Sequence, residues 1–511
     1  MMAVTASLAL LHLVATAAPR PRLRVDIAVD LTRPIFTVSP AFVSMTIDSA
    51  SMCRDGPWSF PSNVDPVTLA RIRLLSKPGL VIRYGGTWSD NEQFNDSAAP
   101  LLPSLPGVAG GPLGKVGCDI TAPRWRQLAA FAASINASLV YGVDSLTRFR
   151  AANVGPIDLV NADSLFKLAA GDTNSKRALL GFELGNEPIN WRTKGYTNLT
   201  AAQHAADFPT MRKHLSRVFK GWVQSPLVLG PDVWGVDQRE GIATKYLREF
   251  LEAKPNVDIV TIHVYSLWIP STNISAADFY NETRLDVSQR GASMARTIVD
   301  AAMGQPGGAP LPLWVGEGSP TWQVVCDYGC GALSSNLTFE IAYLDQLGSF
   351  AASGVSLFAR QTLSSTIKPE TNTSGGPSPG YWSAVLWKQL MGEAVLNASV
   401  PAGKGLRAYA HHTPSESNSF TLLLLNINSE DADIRLQTPC MNASRYTLTA
   451  GPETQKGSSV LLNGKLLQFA DSQSVALPLI IGAPSNCTSL TLPPTSATWL
   501  VVKRMNTSKA T

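Results

Sequence analysis

Charged residues are scarce in this chain. They make up 16% of its 511 residues, whereas soluble domains typically contain about 25%. The net charge is only +4, and no long run of lysine or arginine occurs. The composition therefore does not indicate a nucleic-acid-binding protein. Hydrophobic residues account for 45%, and a chain of this length and composition can bury large cores in two or three domains.

Long apolar runs are missing beyond the N-terminus. No later run reaches the ~18–20 residues that a membrane-spanning helix needs. The first segment has an apolar centre over 4–14, followed by Ala15-Thr16-Ala17, which predicts a signal peptide over 1–18. An uncleaved anchor or a wrong start site is the alternative, because no lysine or arginine precedes the apolar centre. We expect a protein that is secreted to the extracellular space, cell wall or matrix, or delivered to a lysosome or vacuole.

Cysteine is infrequent, and its count of six is even. In a secreted chain an even set predicts disulfides, and Cys440 and Cys487 are expected to pair. Metal binding is an alternative for Cys326 and Cys330, but no histidine or second cysteine pair stands near them, so no metal is expected. Asn-X-Ser/Thr acceptors for glycosylation support secretion and occur at Asn95, Asn136, Asn198, Asn273, Asn281, Asn336, Asn372, Asn397, Asn442, Asn486 and Asn506.

A glycine-rich phosphate-binding fingerprint is also missing after the first strand pattern, which disfavours an open doubly wound sheet. Helical patterns such as 124–134 and 244–253 separate most of eight apolar, β-rich segments. Strands alternating with helices predict parallel βα units, and eight units predict a (β/α)₈ TIM barrel. The eight segments are 42–48, 80–86, 137–144, 180–187, 227–233, 259–265, 313–318 and 354–361.

The pattern changes after about residue 390. Short alternating segments separated by turn residues predict an antiparallel β-sandwich. We expect a barrel over 39–390, a sandwich domain over 391–511, and an N-terminal strand within 22–38 that joins the sandwich. The Pro- and Gly-rich segment 97–117 is predicted to be a loop on the active face of the barrel.

Two carboxylates stand where predicted strands end. The run LLGFELG stops on Asn186-Glu187-Pro188, and LWVG is followed by Glu317. Catalytic groups of a TIM barrel lie at the carboxyl ends of its strands, and strands four and seven lie roughly opposite each other. Glu187 and Glu317 are therefore predicted to face each other across the mouth, as a proton donor and a nucleophile for glycoside hydrolysis.

Other polar residues end the predicted strands. Asn186 is predicted to bind the sugar 2-hydroxyl, and His263 and Tyr265 to orient Glu317. Arg83 is a candidate for substrate binding, although a structural ion pair is its alternative, and His263 can equally be a structural histidine. Tryptophans after strand ends can stack on sugars or cap a core. The remaining candidates are Thr87, Arg360 and Gln361 for substrate, Lys368 for a carboxylate, and Trp88, Trp191 and Trp322 for stacking.

These motifs resemble the heparanase-type members of glycoside hydrolase family 79, over nearly the whole mature chain. The resemblance implies a barrel plus sandwich and retaining β-glucuronidase activity, with Glu187 as proton donor and Glu317 as nucleophile. It also implies that backbone amides at Gly329 and Gly331 bind the uronate carboxylate. The matching motifs are SMTID (44–48), IRYGGT (82–87), RWRQLAAF (124–131), GFELGNEP (181–188), LGPDVW (229–234), VTIHVY (260–265), WVGEG (314–318), YLDQLG (343–348), ARQTL (359–363), YWSAVLWKQLMG (381–392) and VLLNGKLL (460–467).

The chain departs from that family in three places. Members usually carry, after the Arg-Gln pair, a Gly-Asn-Tyr segment whose tyrosine helps bind the uronate, and this chain has no such tyrosine after Gln361. The basic segment of the animal enzyme matches 236–253, where four acidic residues face three basic ones, so tight binding of highly sulfated chains is not expected. The excised linker of the animal enzyme matches only 97–117, so we expect one unprocessed chain.

The sequence thus predicts a secreted retaining glycosidase that cleaves β-glucuronide linkages in glycans or proteoglycans. The alternatives are another retaining glycosidase of the same barrel clan, of the xylosidase or arabinofuranosidase type, or a catalytically silent glycan-binding matrix protein. A glycan is the expected partner, without nucleic acid and without a transmembrane segment. No cofactor is expected, because the carboxylate pair needs none.

Overall fold

The computed structural model describes residues 23–52, 61, 64–96, 120–148, 154–236, 241–267, 276–303, 311–321, 336–367, 377–414, 416–451 and 459–504. Several predictions concern residues outside these ranges. They are the signal peptide, the loop 97–117, Trp322, Gly329, Gly331, Lys368, and the four cysteines at 53, 118, 326 and 330.

Eight parallel strands form a closed barrel, as the eight apolar segments predict. The ring closes where the last strand pairs with the first, Phe358 opposite Val43. We number them barrel strands 1 to 8 in chain order. Their bounds are Val43–Asp48, Val81–Gly85, Ser138–Val143, Leu179–Leu184, Leu227–Trp234, Ile259–Tyr265, Leu313–Ser319 and Leu357–Arg360.

Helices connect successive barrel strands, and their starts follow ordinary capping rules. Asp65 accepts from the Thr68 backbone N–H, and a proline opens the helix behind it, where a missing N–H costs nothing. No helix of the described residues is long and apolar enough to cross a membrane. The α-helices are Ser49–Met52, Pro66–Leu75, Ala122–Ser134, Val160–Gly171, Thr173–Ala178, Ile189–Thr193, Ala201–Ala205, Asp207–Val218, Ile242–Glu252, Glu282–Met303, Leu337–Ala352, Leu363–Ile367 and Pro379–Leu390, and the 3₁₀ helices are Ser89–Asn91 and Ala276–Tyr280.

A second, mainly antiparallel set of strands follows the barrel. Leu23–Asp30 joins it, pairing antiparallel with Ala394–Ser399 and parallel with Ala432–Leu436. This agrees with the strand expected near the N-terminus, while the division into domains stays a prediction. The further strands are Phe36–Thr37, Leu406–Thr413, Glu416–Asn426, Cys440–Ala450, Val460–Leu462, Lys465–Leu466, Ala483–Ser485, Ser489–Leu492 and Ser496–Arg504, and Phe94–Asn95 pairs separately with Ile120–Thr121.

The predicted disulfide between Cys440 and Cys487 is present, with a sequence separation of 47 residues. It joins the start of the strand Cys440–Ala450 to the chain just before Ser489–Leu492. The sulfur of Cys487 lies in the apolar core of the sandwich.

The strand Glu416–Asn426 is buried on both faces. Leu422 and its even-numbered neighbours face the sandwich core, whereas Leu423 and Leu425 face the core of the barrel. A strand buried on both faces reads as a continuous apolar run, which explains the sequence LLLL. The helix Leu337–Ala352, buried almost all round, lies against this sheet. The two parts therefore share a buried apolar interface.

Candidate active site

Glu187 follows barrel strand 4 in a sharp turn. Its φ is +47° and that of Gly185 is +81°, a region that residues other than glycine seldom occupy and that is often found at functional sites. Gly185 is required, because a Cβ there would lie 2.8 Å from the Trp191 ring. The Glu187 N–H donates to the carbonyl of Asp232 at the end of barrel strand 5, 3.2 Å away.

Glu317 lies across the mouth near the end of barrel strand 7. One carboxylate oxygen of Glu187, one of Glu317 and a ring nitrogen of His263 all lie within 4.8 Å of one another. The two carboxylates that the sequence placed at the ends of strands four and seven are therefore brought together. The same three groups are the ones that resemble metal ligands, but the adjacent Arg83 guanidinium makes the position unfavourable for a cation.

Two donors hold Glu317. The Tyr265 hydroxyl donates to Oε1, and Arg83 Nη1 donates to Oε2 at 3.0 Å. Donors on both oxygens fix the direction in which the carboxylate points. The contact of Tyr265 is the one expected from sequence.

His263 contacts Glu187 rather than Glu317, which corrects the expectation that it orients Glu317. Its Nδ1 lies 3.2 Å from Glu187 Oε1, and Asn190 donates to the other oxygen at 2.8 Å. Burial alone would raise the pKa of Glu187, but the hydrogen bond and charge of His263 outweigh burial and lower this pKa. Glu187 therefore rests as a carboxylate beside a charged imidazole.

Asp232 keeps His263 charged. His263 Nε2 lies 3.1 Å from Asp232 Oδ1, and both side chains are fully buried. Burial lowers the pKa of a histidine, yet the charges of Asp232 and Glu317 outweigh it and raise the pKa of His263 well above its ordinary value. Asp232 lies near the end of a predicted strand on the same rim, but the sequence assigned it no individual role.

Arg83 lies at the centre of the carboxylates beneath the mouth. It donates to Glu183 at 2.7 Å, to Asn186 Oδ1 at 3.0 Å and to Asp232, besides Glu317. Burial and the charge of Asp232 raise the pKa of Glu183 to about 8, while Arg83 and His263 keep Asp232 ionised. Glu183 therefore holds a proton more readily than Asp232 does. The pattern in the sequence that could have pointed to Glu183 is a single carboxylate inside an apolar strand.

Both strand-end arginines are used within the protein, so neither is a free partner for a substrate carboxylate. Arg83 is 2% exposed and Arg360 3%. Arg360 forms a two-pronged pair with Glu340 at 2.6 and 2.7 Å and lies over the Tyr343 ring. Burial with internal pairing corrects the expectation that these arginines bind substrate.

Polar groups also lie at the ends of barrel strands 8 and 1. Gln361 donates to Asp48 Oδ2 at 3.0 Å and accepts from Thr46. Asp48 is half-buried at the end of barrel strand 1, and sequence reasoning did not assign it a role. Thr87 and Trp88 are half-buried after barrel strand 2.

Trp191 is not a sugar platform. Only 2% of it is exposed, and its indole N–H donates to Asp90 Oδ2 at 2.8 Å. The ring supports the turn of Glu187 from beneath. This corrects the expectation that it can stack on a sugar.

The sequence profile of the N-terminal domain of glycosyl hydrolase family 79 matches residues 25–348. The chain belongs to this family. It is 28% identical to heparanase from Gallus gallus over 550 residues, covering 97% of this chain and 98% of that protein. It is 23% identical to baicalin-beta-D-glucuronidase from Scutellaria baicalensis over 475 residues, covering 86% and 85%.

Solved structures show the same fold. A 4-O-alpha-L-rhamnosyl-beta-D-glucuronidase from Fusarium oxysporum 12S aligns with a TM-score of 0.64 at 15% identity, over 94% of this chain and all of that one. The family and these relatives identify the chain as a heparanase-like glycosidase whose substrate is a glycan.

Proposed function

We propose that this family 79 glycosidase is a secreted retaining β-glucuronidase that acts on glucuronide-bearing glycans or proteoglycans by double displacement. The observation that carries the proposal is the separation of less than 4.8 Å between oxygens of Glu187 and Glu317. Retaining enzymes hold their two carboxyl groups about 5–5.5 Å apart, whereas inverting enzymes need about 6.5–9.5 Å to admit a water molecule.

Glu317 is the nucleophile and Glu187 the proton donor. The Glu317 carboxylate attacks the anomeric carbon while the Glu187 proton passes to the departing oxygen, which yields a glycosyl ester and the free aglycone. Glu187 then removes a proton from water as the water cleaves the ester. Arg83 holds Asn186 through its amide oxygen, which leaves the Asn186 Nδ2 group to donate to the sugar 2-hydroxyl.

The proton for the first step comes from the Glu187–His263 pair. With the pair at rest, the proton lies on His263, 3.2 Å from the Glu187 oxygen. A bound sugar excludes water from the mouth and weakens the charged form of the pair, so the proton moves to Glu187. Asp232 stabilises the imidazolium whenever the proton returns.

A uronate carboxylate needs partners other than Arg83 and Arg360, because both arginines are paired internally. Backbone amides at Gly329 and Gly331, outside the described residues, are the proposed partners of the carboxylate. Asp48 and Gln361 suit sugar hydroxyls instead. The paired arginines favour, as a second candidate, a neutral sugar such as a xyloside or an arabinofuranoside.

Highly sulfated chains are expected to be poor substrates. In the helix Ile242–Glu252, Lys245 lies 3.6 Å from Glu249, so part of the positive charge in the segment 236–253 is neutralised locally. We propose sparsely sulfated or unsulfated β-glucuronides as substrates, with a shallow dependence of binding on salt.

The test compares rates on aryl β-glucuronide, β-glucoside, β-xyloside and α-arabinofuranoside, and on heparan sulfate at low and physiological salt. The glucuronide should be turned over fastest. A glucoside or pentoside rate equal to or above it would overturn the uronate assignment, and efficient heparan sulfate cleavage at physiological salt would overturn the sulfation preference. No turnover of any glycoside would favour a silent glycan-binding protein.

Secretion has its own test. Expression of the full chain in eukaryotic cells should release a glycosylated protein whose N-terminus lies near residue 19. Retention in the cytosol without glycans would refute the proposed location.

A further inference from the structure

Asp90 is a buried carboxylate behind the turn that carries Glu187. It lies in the 3₁₀ helix Ser89–Asn91 after barrel strand 2 and is 1% exposed. Its Oδ1 accepts from the Asn186 backbone N–H at 2.9 Å, and its Oδ2 accepts from the Trp191 indole N–H at 2.8 Å.

These two donors flank Glu187 in the chain. Asn186 precedes it, and Trp191 lies on the helix Ile189–Thr193 that follows. One carboxylate therefore bridges the two ends of the segment 186–191 and closes it into a loop with Glu187 near its start. The same helix carries Asn190, which donates to Glu187 at 2.8 Å, so the position of the helix also sets the direction of the Glu187 carboxylate.

The arrangement is costly for stability. Among the described residues no lysine or arginine forms an ion pair with Asp90, and the nearest favourable charge is that of the more distant Lys194. Burial raises the pKa of Asp90 well above its ordinary value, although the N–H groups of Trp191 and Asn186 oppose that rise. A buried carboxyl group without a counter-ion stabilises a fold poorly, and such costs are tolerated where activity depends on them.

We infer that Asp90 is a positioning residue, which holds the proton donor Glu187 in place by fastening Asn186 and Trp191 to the end of barrel strand 2. It does not touch the substrate. The inference rests on the proposed function, in which Glu187 protonates the leaving group. A displacement of a catalytic group by ~1 Å can lower a rate by roughly 10²-fold.

The test uses Asp90→Asn and Trp191→Phe in the full chain. Asp90→Asn keeps the shape but replaces one acceptor by a donor, and Trp191→Phe removes the indole N–H together with part of the ring that packs against Gly185. Turnover is measured on a series of aryl glycosides that differ only in leaving-group acidity, built on the sugar that the wild type hydrolyses fastest. Melting temperatures are recorded for each variant.

Asp90→Asn should lower the turnover rate roughly 10²-fold on glycosides with poor leaving groups. On dinitrophenyl glycosides, whose leaving group needs no proton, the rate should fall several-fold at most. Trp191→Phe should show the same dependence with a smaller loss. Asp163→Asn is the control, because this carboxylate also accepts several hydrogen bonds but lies on the helix Val160–Gly171, where it pairs with Lys167 and Arg217. Its leaving-group dependence should match the wild type.

Equal losses on all leaving groups, or a lowered melting temperature without a rate change, would overturn the positioning role. Glu187→Ala separates the two proposals. Suppose the rate loss of Glu187→Ala is larger for poor leaving groups than for good ones, while Asp90→Asn and Trp191→Phe show no such difference. Then only the role of Asp90 fails. If Glu187→Ala shows no such difference either, the proton-donor assignment fails and the inference fails with it. Should Asp90→Asn not fold, Trp191→Phe alone decides.

Discussion

The interior of the barrel beneath its mouth and the interior of the sandwich are both closed to solvent, but they are built from opposite kinds of residues. Under Glu187 and Glu317, four barrel strands contribute Arg83, Glu183, Asp232 and His263, none more than 2% exposed. The sandwich core is apolar, with residues such as Ile27, Phe420, Leu422, Leu424, Leu500 and Val502. Buried charges add little stability unless every member is paired, so the first region is organised for chemistry and the second for stability. Substitutions should separate the two.

The largest effect is expected at the proposed nucleophile. Glu317→Gln keeps the volume but replaces the carboxylate by a poorly nucleophilic amide. Turnover should fall by at least about 10⁴-fold, and covalent labelling by a cyclophellitol-type probe should disappear. Melting should change little, because the amide oxygen can still accept from Arg83 while the amide N–H donates to the Tyr265 hydroxyl oxygen. Normal labelling of this variant would remove Glu317 from the role.

The loss of turnover in Glu187→Ala should depend on the substrate rather than be uniform. Loss of general acid catalysis costs about 10²–10⁴-fold, but only on substrates whose leaving group needs a proton. Dinitrophenyl glycosides should still form the glycosyl ester, and azide should restore its breakdown. A uniform loss that azide does not rescue would contradict the assignment.

The disulfide tests the stability side of the comparison. Replacing both Cys440 and Cys487 by alanine opens a loop of 47 residues, which costs about 4 kcal/mol of unfolding free energy in the chain-entropy model. Below the melting temperature kcat should be unchanged, since the bridge lies in the sandwich. Denaturant melts and initial rates on the same samples measure both. A fall in kcat without unfolding would show that the sandwich also affects catalysis at the barrel mouth.

Two adjacent leucines allow the sandwich core and the barrel core to be perturbed separately. Leu422→Ala should cost about 2–5 kcal/mol of stability through the cavity that it leaves in the sandwich core. Leu423→Ala should cost a similar amount, but its cavity opens towards the barrel. Leu422→Ala should leave the pH profile and KM unchanged. A change in KM for Leu422→Ala would show that the sandwich core influences the mouth.

The smallest predicted effect is a shift in pH dependence. Activity needs a proton on the Glu187–His263 pair. This proton is present below the raised pKa of His263 and is lost as the pH rises through it. Three carboxylates face His263, namely Asp232, Glu187 and Glu317. Asp232→Asn removes one of these charges and lowers the pKa, so the alkaline limb of kcat/KM should move to lower pH by about one unit. An unmoved limb would contradict the role of Asp232.

Much of the site was predictable from the sequence for a physical reason. An apolar strand that stops on Asn186-Glu187-Pro188 must turn there, and parallel strands in a closed barrel present all their carboxyl ends on one rim. The positions of Glu187 and Glu317, and the contact of Tyr265 with Glu317, follow from local pattern plus this topology. The disulfide between Cys440 and Cys487 followed from their placement among the predicted sandwich strands.

The partners of the charged residues were not predictable in this way. Arg83 and Arg360 end their strands alike, yet one joins Glu183, Asp232 and Glu317 while the other pairs with Glu340 on a helix. The sequence by itself determined the barrel, the attached sandwich and the rim on which the carboxylates stand, because periodicity and strand-end chemistry are local. Only the tertiary structure decided which carboxylate each arginine neutralises, that His263 faces Glu187, and that Asp90 lies behind the turn. Hydrogen bonds and ion pairs depend on distances of about 3 Å, and those distances are set by strands that lie about a hundred residues apart in the chain.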